Sequence, residues 1–381
     1  MGAEHPKYPE HLERHRVAVL LSGGVDSSVA LRLLRDAGHD VTAFYLKIWL
    51  EDELAFLGEC PWEEDLRYAR AVCADAGVPL EVVPLQRQYH ERVVSDAVEE
   101  LRAGRTPSPD ILCNRRVKFG AFVDHLAQAG ETSFDRIASG HYARLARRHD
   151  ARGDEWHLLK GVDPVKDQTY FLHRLDQEQL SRCLFPIGDI PKSEVRRLAD
   201  LYGLPNRQRK DSQGICFLGK IRFDDFVRGY LGEEPGEIRD IDTERVLGQH
   251  RGLWFHTIGQ RKGLGLGGGP WYVVAKDLES RTLFVSHADR QVAHRQDRFT
   301  VPHMAWIGTP PPEETPVEVK LRHGPRTTPA RFQYLPDGGL DIRLEDSDPG
   351  LAAGQSAVLY DGERCLGGGV ILPRYDLPRP A

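Results

Sequence analysis

The first half of the chain alternates short apolar runs with segments of helical periodicity. Residues 17–21 form an apolar run that ends in glycines, as a buried parallel strand does. In residues 25–37 the apolar positions recur at helical spacing, and Gly38 ends the pattern. The same alternation predicts a strand at 41–48, a helix at 66–76, a strand at 80–84 and a strand ending near 137–140. This order predicts an α/β domain built on a doubly wound parallel sheet.

The second half of the chain has a different pattern. Glycine is frequent between residues 213 and 270, which predicts a small connecting domain with irregular backbone. From Trp271 onward the apolar positions recur with period two, and short strands are predicted at 317–321, 330–334, 356–360 and 367–372. We therefore predict three parts: an α/β catalytic domain at 1–212, a central adaptor domain at 213–285 and a C-terminal β-barrel at 286–381.

Composition narrows the class of protein. The chain has 381 residues and a formal net charge of −6, and its apolar runs are shorter than the ~20 residues of a membrane-spanning helix. The N-terminal residues lack a signal-peptide pattern, so we expect a cytoplasmic protein with no membrane partner. Six cysteines occur, at 60, 73, 113, 183, 216 and 365, and none form a C-x-x-C pair. We therefore expect no structural metal, and thiols unless a cysteine does chemistry.

The string Ser22-Gly23-Gly24-Val25-Asp26-Ser27-Ser28 follows the first strand and opens the first helix. Glycines allow a phosphate to approach the backbone, and the helix N-terminus adds partial positive charge. The three serine hydroxyls can donate hydrogen bonds to phosphate oxygens. An acid at position 26 is unusual beside phosphates unless it helps to hold Mg²⁺.

Other phosphate-binding loops fit less well. The string has no lysine of a Walker A loop and no G-x-G-x-x-G fingerprint of a dinucleotide fold. It resembles the pyrophosphate loop of the N-type ATP pyrophosphatases, which implies ATP as cofactor. The loop alone leaves the substrate open, because GMP synthetase-like, argininosuccinate synthetase-like and tRNA-modifying members of that group share it.

Two cysteines lie in unusual surroundings. Cys113 follows two prolines and precedes Arg115, Arg116 and Lys118, so we expect a shaped loop whose positive field favours the nucleophilic thiolate. Cys216 lies beside Gly214 in a stretch preceded by basic residues. Cys73, by contrast, has the pattern of a helix core. An ATP-activating domain with two loop cysteines suggests sulfur transfer through a persulfide.

At this point the chain resembles the tRNA-specific 2-thiouridylases over nearly its whole length. The matching segments are residues 22–28, 105–114, 139–142, 166–171, 211–217, 256–265 and 270–274. The resemblance implies an ATP-dependent tRNA-uridine 2-sulfurtransferase that converts the wobble uridine 34 to 2-thiouridine. Its three-part plan of ATP domain, adaptor and β-barrel agrees with the predicted domains.

The resemblance also implies roles for particular residues. Cys216 would carry the catalytic persulfide, and Cys113 would be the partner nucleophile that closes a disulfide with it. The residues implied to contact ATP are Leu20, Leu21, Ser22, Gly23, Gly24, Val25, Asp26, Ser27, Leu46 and Gly140. Those implied to contact tRNA are Ser108, Pro109 and Asp110 at the target base, with His141, Lys166, Asp167, Gln168, Arg322, His323 and Gln355 elsewhere.

Partners follow from the same resemblance. They are tRNA, with lysine, glutamate and glutamine acceptors expected, and a persulfide donor such as a cysteine desulfurase or a sulfur-relay protein. Three basic clusters, at 102–118, 196–210 and 261–262, would supply the electrostatic contact with RNA if they lie on one face. The acidic stretch at 51–64 would repel RNA and is expected to lie away from that face or to meet a basic partner.

Two other functions stay open from the residues themselves. A different pyrophosphatase-loop enzyme, such as an amide-forming ligase, would not need the cysteines. A non-enzymatic RNA-binding or scaffold protein with a vestigial nucleotide loop would release neither pyrophosphate nor AMP.

Overall fold

The computed structural model describes residues 13–48, 62–128, 130, 134–150, 153–211 and 222–373. The chain divides into two compact units. The first unit comprises positions 1–92 and 110–220, and the second comprises positions 93–109 and 221–381. The segment Val93–Pro109 thus belongs to the second unit, although the chain before and after it belongs to the first unit. The chain passes into the second unit for the rest of its length after position 220.

The first unit is built on a five-stranded parallel sheet. Its strands are β1 (Arg16–Leu20), β2 (Asp40–Lys47), β3 (Leu80–Pro84), β4 (Arg136–Ser139) and β7 (Cys183–Leu184), in the order β3-β2-β1-β4-β7. A hairpin of β5 (Ala143–Asp150) and β6 (Gly153–Lys160) follows β4. The order reverses at β1, from which β2 and β3 lie to one side and β4 and β7 to the other, so the predicted doubly wound parallel sheet is confirmed.

Helices cover both faces of this sheet. They are α1 (Val25–Asp36), α2 (Trp62–Ala76), α3 (Gln86–Tyr89), α5 (Pro109–Leu112), α6 (Phe122–Gln128), α7 (Thr169–Leu172), α8 (Gln177–Arg182) and α9 (Lys192–Leu201), with π-helical segments at His90–Val94 and Cys113–Ala121. In the second unit, α4 is Ser95–Arg102 and α10 is Phe223–Leu231.

The two faces of helix α1 explain why it is placed against the sheet. Leu31 and Leu34 pack with α2 and the strands on one side, including the buried Cys73 that the sequence assigns to a helix core. Val29 and Leu33 pack on the other side with apolar residues of α9. Because both sides of α1 are buried, its N-terminus is held rigidly at the end of β1.

The second unit contains two further sheets. The central domain has the order β10-β11-β8-β9, from β8 (Gly236–Asp240), β9 (Val246–His250), β10 (Trp271–Asp277) and β11 (Thr282–His287), with a 3₁₀ turn at Leu253–Phe255. Within the same unit, Lys276 donates to the carbonyl of Gly104 at 3.0 Å, and Thr106 N–H donates to the carbonyl of Ala353 at 2.7 Å. These bonds connect the segment Val93–Pro109 to the central domain and to the C-terminal domain.

The C-terminal domain is an antiparallel sheet around one apolar core. Its strands are β12 (Gln296–Val301), β13 (Ala305–Trp306), β14 (Val317–Lys320), β15 (Thr328–Tyr334), β16 (Leu340–Asp348), β17 (Ser356–Asp361), β18 (Arg364–Val370) and β19 (Leu372–Pro373), with a 3₁₀ turn at Gln291–His294 before them. They run in the order β19-β12-β16-β15-β14-β17-β18, and β13 pairs with β18. The predicted period-two strands are confirmed.

The period-two pattern predicts the wrong environment for one residue of β14. Alternation assigns Lys320 to the polar face of β14, but its side chain is only 2% exposed. Its ammonium lies 5.2 Å from the centre of the Tyr360 ring, an aromatic face that attracts cations. Within the ranges described, none of the helices is long and apolar enough to cross a membrane.

Candidate active site

The phosphate loop joins the central strand of the sheet to the first helix. Strand β1 ends at Leu20 and α1 begins at Val25, so the loop leaves the carboxyl edge of the sheet directly into a helix N-terminus. Because the strand order reverses at β1, this edge is where doubly wound folds form a ligand crevice. The position predicted for the nucleotide loop is therefore the position that the structure gives it.

Hydrogen bonds inside the loop hold its shape. The hydroxyls of Ser27 and Ser28 donate to the carbonyl oxygen of Gly24 at 3.1 and 2.8 Å. The backbone N–H of Ser22 donates to the hydroxyl oxygen of Ser27 at 3.3 Å. These serines thus stabilise the turn itself, and their hydrogen bonds to phosphate stay a prediction.

Two glycines allow backbone to touch backbone around the loop. Gly23 has φ +76°, and a Cβ there would lie 2.3 Å from the carbonyl oxygen of Asp65 in α2. At Gly140, which follows β4, a Cβ would lie 2.6 Å from the backbone nitrogen of Ser27. Without that Cβ, the backbone of Gly140 can lie beside the first turn of α1, whose N–H groups favour an anion. The residues present therefore fit a bound phosphate.

Asp26 is held by two donors from distant parts of the chain. Its Oδ1 accepts a hydrogen bond from the Tyr142 hydroxyl at 2.9 Å and from the Lys192 ammonium at 2.6 Å. Burial, followed by the Asp26 carboxylate, raises the pKa of Tyr142, so this phenol stays a donor at any physiological pH. The acid of the loop is therefore oriented and has a cation as its neighbour.

Lys192 also contacts Asp211, whose carboxylate forms ion pairs with three cationic side chains. The Asp211 carboxylate accepts from Lys192 at 2.7 Å and from Lys166 at 2.6 Å, and it pairs with Arg196. Burial opposes ionisation of Asp211, but the hydrogen bonds from Lys166 and Lys192 outweigh it and lower its pKa to about 2. A row of alternating charges thus extends from the loop to Lys166.

Sequence reasoning missed several residues that support the loop. Asn206, which is 1% exposed, donates to the carbonyl of Gly23 at 2.8 Å and to the Ser28 hydroxyl at 2.9 Å. Arg209 donates to the same carbonyl at 3.2 Å and pairs with Asp65. The only signal in the sequence is that these residues lie in a basic stretch, because no spacing rule links positions about 180 residues apart.

Cys113 differs from its prediction. It begins a π-helical segment after α5, where a loop is predicted, and its side chain is 0% exposed. Burial raises the pKa of its thiol to about 11, and the opposing field of Lys118 is too weak to offset this. The predicted thiolate is therefore wrong for this state of the protein, in which the sulfur is a protonated thiol.

His141 follows Gly140 and packs against the helical segment that begins at Cys113. Its Nδ1 lies 2.7 Å from the Ser139 hydroxyl, and its ring packs against Phe119 and Phe185. Burial lowers the pKa of His141 well below its usual value, and the charge of Lys118 acts in the same direction, so the ring is neutral. Lys118 acts electrostatically on both His141 and Cys113, and Phe119, which packs against His141, belongs to the helical segment that begins at Cys113.

The predicted segment Lys166-Asp167-Gln168 lies in the same neighbourhood. Asp167 is 3% exposed, and its carboxylate accepts from the Thr169 hydroxyl at 2.9 Å and from Gly161 N–H at 3.2 Å. Gln168 accepts from Tyr142 N–H at 3.0 Å through its side-chain oxygen. Asp167 and Gln168 thus hold the local backbone, and contact with tRNA by this segment stays a prediction.

The remaining predicted residues are distributed over both units. In the second unit, Arg322 pairs with Asp348, His323 is exposed, and the carbonyl of Gln355 accepts from Ile371 N–H at 2.8 Å. Cys216 and the stretch at 51–61 lie outside the described residues. The other positions are these: Leu20, Leu21 and Val25 are buried, Leu46 is half-buried in β2, Ser108 and Pro109 belong to the second unit, and Asp110 lies in α5 of the first.

The basic clusters are partly neutralised within the protein. Arg196 pairs with Asp211, Arg209 with Asp65, and Arg105 with Glu100 at 2.5 Å. Among the residues that the structure describes, no group of three or more His, Cys, Asp or Glu side chains is arranged to hold a metal ion.

Comparison with protein families covers all three parts of the chain. Residues 15–220 match the family described as tRNA methyl transferase HUP domain. Residues 224–287 match the tRNA methyl transferase PRC-barrel domain, and residues 296–371 match the aminomethyltransferase beta-barrel domain. The predicted fold class, including the C-terminal β-barrel, is confirmed.

Curated relatives align along almost the full chain. The tRNA-specific 2-thiouridylase MnmA 2 of Bacteroides fragilis is 44% identical and covers 93% of this chain and 99% of its own length. MnmA of Porphyromonas gingivalis is 43% identical over 93% and 98%, and MnmA of Delftia acidovorans is 42% identical over 94% and 98%. Among solved structures, U34-tRNA thiolase NcsA from Methanococcus maripaludis aligns at 18% identity and TM-score 0.33, over 58% of this chain and 66% of that chain.

A HUP-type α/β domain with a glycine-rich loop at the switch point of its sheet defines the protein as a nucleotide-using enzyme whose fold fits ATP. In the sequence, that domain is followed by a PRC-barrel domain and a β-barrel domain. The chain belongs to the family of tRNA-specific 2-thiouridylases.

Replacing Gly140 tests the close approach at the loop. In Gly140→Ala, the methyl group must push against the backbone of residues 26 and 27, so we expect affinity for Mg·ATP to fall about tenfold or more, ~1.4 kcal/mol. Isothermal titration calorimetry measures it. Gly267→Ala is the control, because a Cβ there meets no atom within 4 Å. Equal affinity of both variants for Mg·ATP would contradict the proposal that the close approach of Gly140 shapes the nucleotide-binding loop.

Alkylation tests the state of Cys113. Because burial holds its pKa at about 11, iodoacetamide should label Cys113 slowly at pH 7 and progressively faster as pH rises toward 11. Peptide mass spectrometry at short reaction times follows each cysteine separately. Cys73, also buried with a pKa of about 11, is the internal reference. Labelling of Cys113 at pH 7 as fast as that of a free thiol would show that its burial is wrong.

Proposed function

We propose that this chain is an ATP-dependent tRNA-uridine 2-sulfurtransferase that forms 2-thiouridine at wobble position 34. One observation carries the proposal beyond family membership. Within the first unit, Gly140 touches the phosphate loop, His141 follows it, and the His141 ring packs against Phe119 of the helical segment that begins at Cys113. A loop suited to ATP and a candidate sulfur nucleophile thus share one neighbourhood.

Activation of the base is the first proposed step. ATP, with Mg²⁺, occupies the loop at residues 20–27, with Leu46 and Gly140 beside it. The O2 atom of uridine attacks the α-phosphorus, pyrophosphate leaves, and AMP remains on O2 as a leaving group. Asp26 has a second carboxylate oxygen besides the one that Tyr142 and Lys192 occupy, and this oxygen suits a metal ion that accompanies the nucleotide.

Sulfur transfer is the second proposed step. The terminal sulfur of a persulfide on Cys216 attacks C2 of the activated base, and AMP leaves. The Cys113 thiolate then attacks Sγ of Cys216, so that the bond between Sγ and the transferred sulfur breaks and 2-thiouridine is released. The product enzyme carries a Cys113–Cys216 disulfide, which an external thiol reductant reopens before a persulfide donor, such as a cysteine desulfurase or sulfur-relay protein, reloads Cys216.

The buried thiol constrains when this second step occurs. A thiol with a pKa of about 11 is almost fully protonated at neutral pH, so Cys113 is inert in the state described. Deprotonation must accompany tRNA binding or base activation, with Lys118 as the cation whose field favours the thiolate. A sulfur nucleophile that stays protonated until the substrate is bound avoids side reactions with other electrophiles.

Recognition of tRNA involves both units in the proposal. Ser108, Pro109 and Asp110 contact the target base, which must leave its stack for C2 to be reached. The backbone contacts come from His141, Lys166, Asp167, Gln168, Arg322, His323 and Gln355. We place the domain boundaries at 1–212, 213–285 and 286–381, the enzyme in the cytoplasm, and lysine, glutamate and glutamine tRNAs among its substrates.

Nucleoside mass analysis tests the reaction. Unmodified tRNA incubated with enzyme, ATP, Mg²⁺, a thiol reductant, and a cysteine desulfurase with cysteine as the persulfide donor should gain 2-thiouridine, and Cys113→Ser or Cys216→Ser should lower the rate by about 10³-fold or more, as for loss of a nucleophile. Cys73→Ala is the matched control, because Cys73 lies on the buried face of α2 and takes no part in the mechanism. Substantial thiolation by either serine variant would refute the two-cysteine step, and no thiolation by the native enzyme would refute the function.

Salt dependence tests the contact with RNA. If Lys and Arg side chains neutralise several phosphates, affinity for tRNA should fall about tenfold or more between 50 and 200 mM KCl. Filter binding or fluorescence anisotropy measures it. Lys262 is exposed, so Lys262→Met should reduce the log–log slope by about one if this lysine meets a phosphate. Affinity that does not change with salt would count against an electrostatic RNA surface.

A further inference from the structure

Lys192 is the one ammonium group bonded to the phosphate loop among the described residues. Its Nζ lies 2.6 Å from Oδ1 of Asp26 and 2.7 Å from Oδ1 of Asp211, and its side chain is 13% exposed. It comes from the first turn of α9, far from the loop in sequence, so the loop motif does not include it.

Both partners of Lys192 keep other donors when this ammonium moves away. Asp211 retains Lys166 and Arg196, and Asp26 retains the Tyr142 hydroxyl. An ion pair that is purely structural leaves an uncompensated charge when one side departs, at a cost of several kcal/mol when buried. Here neither carboxylate is left without a donor, so Lys192 can change partner at low cost.

The backbone of Lys192 is fixed at the start of α9, and its long side chain carries the ammonium to Asp26 and Asp211. Asp163 accepts the backbone N–H of Lys192 at 3.1 Å and the backbone N–H of Lys166 at 3.1 Å. This contact anchors the start of α9 against the preceding loop. A flexible four-carbon stem on a fixed backbone position can reach a ligand without moving the helix.

The local charges favour such an exchange when a phosphate arrives. The cations are Lys166, Lys192 and Arg196, and the facing acids are Asp26, Asp163 and Asp211. The cluster is balanced without nucleotide. A triphosphate adds negative charge next to Asp26, and a metal ion that accompanies it competes for the same carboxylate. Both effects drive the ammonium from Asp26 toward the phosphate.

We propose that Lys192 is a catalytic residue of ATP cleavage: its ammonium transfers from Asp26 to the β- and γ-phosphate oxygens of ATP and stabilises the departing pyrophosphate. The inference rests on the proposed function for its reaction. The bond between the α-phosphorus and the bridging oxygen breaks, and that oxygen gains negative charge. A lysine already held at the loop neutralises this charge without crossing solvent.

The experiment compares Lys192→Met with Glu194→Gln. Glu194 lies on the same helix turn and pairs at the surface with Arg197, so its variant controls for local damage to α9. Pyrophosphate release in the presence of tRNA should lose about 10²-fold or more in kcat for Lys192→Met, as for loss of a transition-state donor. Glu194→Gln should keep native kcat and KM. A native kcat in Lys192→Met would overturn the proposal.

Two further readouts separate a catalytic from a merely structural lysine. Lys192→Ala should recover pyrophosphate release on addition of propylammonium, saturably, whereas Glu194→Gln should not respond. Mg·ATP should raise the Tm of the native protein and of Glu194→Gln but much less that of Lys192→Met, by the linkage of binding to stability. If Lys192→Met does not fold, Lys192→Arg, which keeps the charge, replaces it and should retain part of the activity.

These outcomes distinguish the two proposals. An ATP-induced Tm shift that depends on Lys192, in a native protein that thiolates no tRNA, would refute the sulfurtransferase and keep Lys192 as a phosphate ligand. Thiolation of tRNA with Lys192→Ala insensitive to propylammonium and native in kcat would keep the sulfurtransferase and overturn the role of Lys192.

Discussion

The site depends on two contacts in which one backbone meets another at the end of β1. Gly23 lies against the first turn of α2, and Gly140 lies against the first turn of α1. Both contacts exclude a side chain on the glycine, because the nearest atoms are backbone atoms that cannot rotate away. These contacts fix the N-terminus of α1 at the carboxyl edge of the sheet, where the strand order reverses at β1 and doubly wound folds bind their ligands.

Around this loop the protein balances its charges closely. Three carboxylates and three cations meet between the loop and the segment that begins at Asp163. Such a cluster is stable without a ligand and responds strongly to one, because a single added phosphate upsets the balance at close range. The arrangement links the loop acid Asp26 to Lys166, so that groups expected to contact ATP and groups expected to contact RNA share the partner Asp211.

Cys113 illustrates how folding changes the chemistry of a residue. Basic neighbours in the sequence favour a thiolate, but only Lys118 among them acts on the sulfur appreciably, and burial outweighs it. The thiol is thereby protected in this state, while the helical segment that it begins packs through Phe119 against His141, the residue after Gly140 at the phosphate loop.

Local patterns in the sequence determined strands β1 to β4, helices α1 and α2, the loop between β1 and α1, and several strands of the C-terminal domain, because apolar periodicity and glycine placement act over a few residues. They also identified Cys73 as core and Cys113 as a residue of interest. Only the tertiary structure decided that Lys320 is buried and that Cys113 is a protonated thiol. It also decided that Asn206, Arg209 and Lys192 contact the phosphate loop, which is far from them in the sequence. Burial and long-range pairing depend on which surfaces meet in space, and no short window of sequence contains that information.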